Sequence, residues 1–200
     1  MRVFLAGATG VIGIRVLPLL VEAGHVVAGM TRSPEKAGAI RDLGAEPVVC
    51  DVFDAAALVD AVVAFDPEAV MHQLTDLPDR IEDLDRSTAG NDRIRTEGTR
   101  NLVAAAKGAG ARTFVAQSIA WRPARGGDAV ACHERQVLEA GGVVVRYGRL
   151  YGPGTFYEQE LPPPPRIAVD AAARATPRLL YAPSGIVTVA EPLSAGDGAG

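Results

Sequence analysis

Three glycines at fixed spacing, Gly7-Ala8-Thr9-Gly10-Val11-Ile12-Gly13, come directly after the apolar run Val3-Phe4-Leu5-Ala6 and lead into a helical pattern that begins near Val11. Strand, glycine turn and helix in that order define a βα unit with a glycine-rich approach to the helix start. Gly7 permits the tight turn, Gly10 lets the backbone approach a pyrophosphate, and Gly13 lets the helix pack closely on the sheet. The N–H groups of a first helical turn have no intrahelical acceptor and stand at the positive end of the helix dipole, so they face an anion. Gly7, Thr9, Gly10, Val11, Ile12 and Gly13 are therefore the expected phosphate cradle of a dinucleotide site.

The rest of the chain repeats the βα rhythm. Short Val- and Ile-rich runs predict strands at residues 2–6, 25–30, 47–50, 69–72, 113–117, 143–146 and 186–190, with helical patterns between most of them. Each helix must cross back over the strand before it, which forces a parallel sheet, and the fold class is an α/β Rossmann-type doubly wound sheet. The strongest helical pattern runs over 92–108, with Ile94, Leu102, Val103 and Ala106 as its apolar stripe and Gly108 as its stop. Pro18 falls inside the first helix, where a missing N–H and a ring clash predict a kink. Residues 122–128 and 155–166 read as loops, the second carrying Pro162-Pro163-Pro164-Pro165, an extended run that cannot join a central strand. With 200 residues, one compact unit is expected: a dinucleotide-binding domain over 1–155, a reduced C-terminal segment over 156–193 packed on it, and a flexible tail over 194–200.

Composition narrows the partners. A net charge of -4, with no basic run, leaves no positive surface to hold a nucleic-acid backbone. The apolar stretch 11–30 is interrupted by Arg15, Pro18, Glu22 and His25, so no membrane span is expected, and the first residues lack the basic start and cleavage site of a secretion signal. Cys50 and Cys132 stand far apart, which suits a reducing cytoplasm and gives no metal spacing. A small-molecule substrate is the remaining partner, with a homodimer also expected.

Cofactor choice is read after the second strand. An Asp or Glu there would bind both ribose hydroxyls of NAD; this chain has Met30-Thr31-Arg32-Ser33, with Lys36 shortly after. Arg32 suits a 2′-phosphate, so NADP is expected over NAD.

These segments resemble the short-chain dehydrogenase/reductase superfamily, in its extended and atypical NAD(P)-dependent epimerase/dehydratase branch. The resemblance is carried by the glycine loop, by Cys50-Asp51-Val52, by Gly98-Thr99-Arg100-Asn101-Leu102, by the strand from Phe114 to Ala120, and by Arg149-Leu150-Tyr151-Gly152-Pro153-Gly154. It implies that Asp51 and Val52 face the adenine, that Leu74 and Thr75 line the nicotinamide ribose, and that Ser118 is the catalytic serine, donating a hydrogen bond to a substrate oxygen. Tyr151 or Arg146 would be a substrate contact. The chain departs from the family at its proton relay, a Tyr with a Lys four residues later. Matched on Glu134 to Glu139, the two positions fall near Gly126 and Val130, and the lysines of the chain are Lys36 and Lys107. Arg95 stands where the family has Asn. His133 is the titrating side chain nearest the missing relay, but Glu134 and Arg135 beside it predict an exposed helix face. His72 is expected to be packed and hydrogen-bonded, and His25 structural. Only eleven residues separate Gly154 from Arg166, so the substrate lid looks trimmed to a stub that leaves the nicotinamide end open to water.

Three functions stand at this point. The first is an epimerase/dehydratase-like oxidoreductase using NADP(H), with weak or atypical hydride transfer. The second is a protein that binds or senses NADP(H) without turning it over, and the third a degenerate or truncated enzyme.

Overall fold

The structure, a computed structural model, describes residues 1–78 and 80–192. Among these, seven strands form one sheet: β1 (Arg2–Ala6), β2 (Val26–Thr31), β3 (Glu46–Val49), β4 (Ala69–His72), β5 (Thr113–Ile119), β6 (Val143–Tyr147) and, across the edge, Gly185–Val189. Between β6 and that last strand the chain forms a two-stranded patch, β7 (Arg149–Tyr151) with β8 (Arg166–Ala168), so the edge strand is β9. The order is β3-β2-β1-β4-β5-β6-β9, and the neighbours pair in parallel. The expected strands are all present, with ends shifted by a residue or two.

Alternation along β1 shows how the sequence builds two layers. Val3 and Leu5 face a core that contains Val16, Leu17 and Leu20, while Phe4 and Ala6 face another with Leu58, Val62 and Leu102. The first layer holds α1 (Gly13–Glu22), whose buried residues Gly13, Val16, Leu17 and Leu20 keep helical spacing. Each buried Leu contributes roughly 1.5–3 kcal/mol. Pro18 is half-buried, and the helix runs on past it to Glu22. After α2 (Ala37–Asp42), the opposite layer holds α3 (Ala55–Phe65), capped by the Asp54 carboxylate accepting from the Ala57 N–H at 3.1 Å.

The helix expected over 92–108 is corrected. It begins earlier, as α4 (Leu84–Arg93), passes through a π-helical turn (Ile94–Gly98), and ends as α5 (Thr99–Gly108). The early part is hard to read from sequence because Ser87, Thr88, Gly90 and Asn91 are weak helix formers. Ser87 and Thr88 return their hydroxyls to the Leu84 carbonyl, each at 3.1 Å, a back-bond that lets such residues sit in a helix.

α6 (Gly127–Glu139) comes after β5, which shortens the loop expected over 122–128. The C-terminal part returns to the first layer: α7 (Val169–Ala175) buries Val169, Ala172 and Ala173 in the same core as α1, with Leu179 and Leu180 beside them. The expected tail over 194–200 lies outside the described residues. Among those described, no helix is long and apolar enough to cross a membrane.

Candidate functional site

The strand order reverses at β1, where β2 and β4 lie on either side, and open α/β sheets collect ligands outside the strand ends at such a point. A cleft of about 1330 Å³ lies there. It brings together Gly7, Thr9, Gly10, Val11, Ile12, Arg32, Asp51, Val52, Leu74, Thr75 and Ser118. Gly13 lies beneath it, packed into the loop.

The three glycines do different things. Gly7 has φ +87°, and a Cβ on it would come within 2.7 Å of the Gln73 carbonyl carbon. A Cβ on Gly13 would drive into the Gly7 carbonyl oxygen, so this glycine serves packing of the helix on the loop rather than on the sheet. At Gly10 the nearest atom to such a Cβ is the Gly7 oxygen at 3.4 Å, so the protein itself leaves room there. The amides of Val11 and Ile12 have no partner among the described residues. Thr9 reaches across to the Thr31 hydroxyl at 3.2 Å, tying the loop to the end of β2.

At one end of the cleft, Asp51 Oδ1 accepts from the Phe53 N–H at 2.9 Å, and the Val52 carbonyl accepts from Asn101 Nδ2 at 2.9 Å. Asn101, the Asn of the G-T-x-N-L segment, thus holds this wall from α5. Arg32 is exposed, and its guanidinium pairs with Asp76 at 3.0 Å. The absence of an acid near Arg32 in sequence is therefore corrected in space: Asp76 arrives from the loop after β4.

At the other end, Ser118 is buried and donates to Glu134 Oε1 at 2.7 Å. Glu134 in turn accepts from Arg146 Nε at 2.8 Å and Nη2 at 2.6 Å. Burial pushes the Glu134 carboxyl up, but the hydrogen bonds from Arg146 and Ser118 outweigh it and hold it below its ordinary range. The single hydroxyl hydrogen of Ser118 is thus committed to a carboxylate, and the side chain offers the cleft lone pairs. This corrects the expectation of Ser118 as a donor to substrate. Arg146 gives two of its N–H donors to Glu134, Tyr151 donates to Glu191 Oε1 at 2.5 Å, and neither lines the cleft, so neither is poised as a substrate contact.

His133 is corrected more sharply. It is 2% exposed, because α6 turns that face onto β5 and α5. Its Nε2 donates to the Gln117 carbonyl at 2.9 Å, which leaves Nδ1 to accept from the Thr99 hydroxyl at 2.7 Å. Thr99 Oγ1 then accepts from His72 Nε2 at 3.1 Å, and His72 Nδ1 accepts from the Leu74 N–H at 3.2 Å. One polarity satisfies the whole chain with both rings neutral. The chain pins the backbone ends of β4 and β5 that flank the cleft. His72 is packed and hydrogen-bonded, as expected; His25 Nδ1 lies 3.3 Å from the chain's amino terminus.

Neutral burial of these rings has a pH signature. Burial drives His72 well below its ordinary value and brings His133 down to about 4, with Arg95 adding repulsion and the Gln117 bond and Glu134 opposing it. The unfolded chain therefore binds more protons than the folded one below the unfolded value near 6.5, and stability is lost as pH falls from there toward 4. For His133 alone the full loss is roughly 3 kcal/mol. Thermal unfolding should show a falling Tm between pH 7 and 5, less steep in His133→Gln; a Tm unchanged across that range would contradict the buried neutral pair.

Sequence reasoning passed over Gln73, the residue after β4. It lines the cleft beside the Tyr147 hydroxyl, yet both polar atoms of its amide are buried with no partner of hydrogen-bond geometry among the described residues. The lid stub is also corrected: residues 154–160 fold back as a wall of the cleft. A glycine that leaves space, two amides without acceptors and a buried amide without partners are what a dinucleotide would satisfy. Among the described residues no cluster of side chains could hold a metal ion.

Fold and site together define a dinucleotide-binding protein. The chain belongs to the NAD(P)H-binding family, whose model matches residues 7–123. It is similar to a 3-diazoavenalumate denitrifying reductase of a Streptomyces species, 40% identical over 185 residues, covering 80% of this chain. It is also 39% identical over 66 residues, 33% of this chain, to an uncharacterised protein of Schizosaccharomyces pombe. The chain spans 60% of the length of the first of these curated relatives and 22% of the second. In fold it is similar to the Bordetella bronchiseptica enzyme WbmH in complex with NAD⁺, with TM-score 0.75 and 20% identity over 94% of this chain and 75% of that one. A UDP-glucose 4-epimerase of Thermus thermophilus in complex with NAD gives TM-score 0.77 and 18% identity over 95% and 78%. The fold is thus that of the NAD-dependent epimerase/dehydratase enzymes, as the resemblance implied.

Proposed function

We propose that this chain is an NADP(H)-dependent reductase of a small electrophile whose reduction needs no proton from the protein. The observation that carries the reading is the relay region: Gly126 and Val130 stand at the two matched positions, and the hydroxyl hydrogen of Ser118 is held by an ionised Glu134. When bound, the reduced nicotinamide supplies a hydride. A carbonyl substrate would then become an alkoxide in need of a proton, and Ser118 has none to give. An arenediazonium substrate differs: its carbon gains hydride, its C–N bond breaks with the electron pair leaving on nitrogen, and N₂ departs (R–N₂⁺ + H⁻ → R–H + N₂). No oxyanion is formed. The name of the Streptomyces relative, which joins a diazo compound to a denitrifying reduction, supports this class.

The residues that would hold the cofactor are the Gly7–Gly13 loop at the pyrophosphate, Asp51 and Val52 at the adenine, and Leu74, Thr75 and Gln73 toward the nicotinamide. Arg32 supports NADP: its pair with Asp76 is exposed, pairs of that kind contribute little, and a 2′-phosphate can displace it. Calorimetry should give NADPH roughly tenfold tighter binding than NADH, a preference lost in Arg32→Ala. Equal affinities in the parent protein would remove NADP from the proposal.

A further inference from the structure

A charged side chain from another element stands where the relay is missing, and a second lies one turn further on. A Cβ on Gly126, the position matched to the tyrosine, would come within 2.6 Å of Asp92 Oδ1, so a carboxylate from α4 fills the volume a side chain there would need. Three residues on, in the π-helical turn, Arg95 lines both the main cleft and a side pocket of about 260 Å³. π-turns are frequent at functional sites because the extra residue re-aims the side chains around it.

Arg95 differs from its neighbours in having no partner. Arg93 pairs with Glu97, Arg146 with Glu134 and Arg32 with Asp76, whereas Arg95 is half-buried and makes no hydrogen bond or ion pair among the described residues. Burial lowers its pKa despite the nearby charges of Asp92 and Glu134. Asp92 Oδ1 is itself buried without a donor. A desolvated guanidinium that makes no direct ion pair is costly in the free protein, and that cost is recovered when a ligand anion binds it in contact. Its fork of donors matches a carboxylate in two parallel bonds. The side pocket is otherwise lined by the apolar or flat Leu77, Leu84, Trp121, Pro123 and Ala124 and by the polar Ser87, Thr88 and Asn91, and Arg125 adds positive potential.

We infer that Arg95 and this side pocket bind the carboxylate end of a planar aromatic or unsaturated acid, placing the rest of the substrate in the main cleft. Asp92 Oδ1 takes a hydroxyl or N–H of the same ligand. This names the substrate class of the proposed reductase and rests on that reading.

The test is calorimetric titration of the NADPH-loaded protein with trans-cinnamate and with cinnamamide, its uncharged isostere. Cinnamate should bind at least about tenfold more tightly, since a charge-assisted bidentate contact separates the two. Arg95→Gln should abolish that ratio while NADPH affinity stays within about twofold, and Trp121→Ala should weaken both ligands alike. Equal binding of the two ligands by the parent protein, or an unchanged ratio in Arg95→Gln, overturns the inference. Arg95→Lys keeps the charge without the fork and should show a reduced ratio; it decides the matter if the glutamine variant does not fold, an unchanged ratio again overturning it. Failure of the parent protein to bind NADPH would strike the proposed function instead, and the same two titrations without cofactor would still read the carboxylate preference.

Discussion

Gly10→Val should fold as the parent protein does and lose NADPH affinity by about a hundredfold or more, whereas Gly13→Val should lose about 3 kcal/mol or more of stability. Both residues belong to the same motif, and their difference comes from the atoms a side chain would meet. A Cβ at Gly10 has the Gly7 oxygen at 3.4 Å as its nearest neighbour, so isopropyl growth there is directed into the space the pyrophosphate must enter. Displacing the phosphates from the Val11 and Ile12 amides removes charge-assisted bonds of about 1.5–3 kcal/mol each, and two such losses exceed a hundredfold. At Gly13 the new atom meets the Gly7 carbonyl, which is backbone and itself holds the Gly10 N–H at 3.1 Å. The loop cannot yield without breaking the β1–α1 connection, and overpacking against backbone costs about 3 kcal/mol or more out of a total stability of only about 5–15. Circular dichroism would report the fold and fluorescence titration the affinity. Normal affinity in Gly10→Val would move the cofactor site elsewhere on the molecule.

That contrast also shows how far the sequence could be read. The glycine loop was legible because its chemistry is local: strand, turn and helix are contiguous, and spacing alone fixes which atoms face the anion. The strands were legible for the same reason, since a buried parallel strand is a continuous apolar run. What escaped depends on pairs distant in sequence. Ser118 meets Glu134 and Glu134 meets Arg146 only because β5, α6 and β6 pack together, and that contact turns a presumed donor into an acceptor. His133 looked exposed beside Glu134 and Arg135, yet the ring faces Thr99 on α5 and His72 on β4. The signal that could have found it is the helical spacing of Val130, His133, Glu134 and Val137, the buried face of α6, which runs through two polar residues. Arg95 was legible as a departure from the family's Asn, but its place beside Asp92 was not, because a π-turn shifts the register of the residues around it.

Substrate choice depends on the same lost donor, and here the largest difference is expected. With NADPH, the protein should reduce an arenediazonium carboxylate at least about a hundredfold faster than the aldehyde of the same ring. General acids typically contribute about 10²- to 10⁴-fold, a contribution the aldehyde requires and the diazonium does not. What the protein would supply to both is position: Arg95 at the carboxylate, the 154–160 wall along the cleft, and the β4 and β5 ends held by the histidine chain. One N₂ should appear for each NADPH consumed above the rate without protein. Deuterium placed on the transferable position of the cofactor should appear on the ring carbon, with none taken up there from D₂O. Ser118→Ala should slow the diazonium reaction less than about tenfold, because the hydroxyl passes no proton in it. Turnover of the aldehyde at kcat/KM within the common enzyme range of about 10⁴–10⁸ M⁻¹s⁻¹ would show that a proton donor exists and refute the assignment of Ser118. Tight NADPH binding with turnover of neither compound would instead establish the non-catalytic reading, in which the Gly126 and Val130 replacements mark a cofactor-binding protein that has given up hydride transfer.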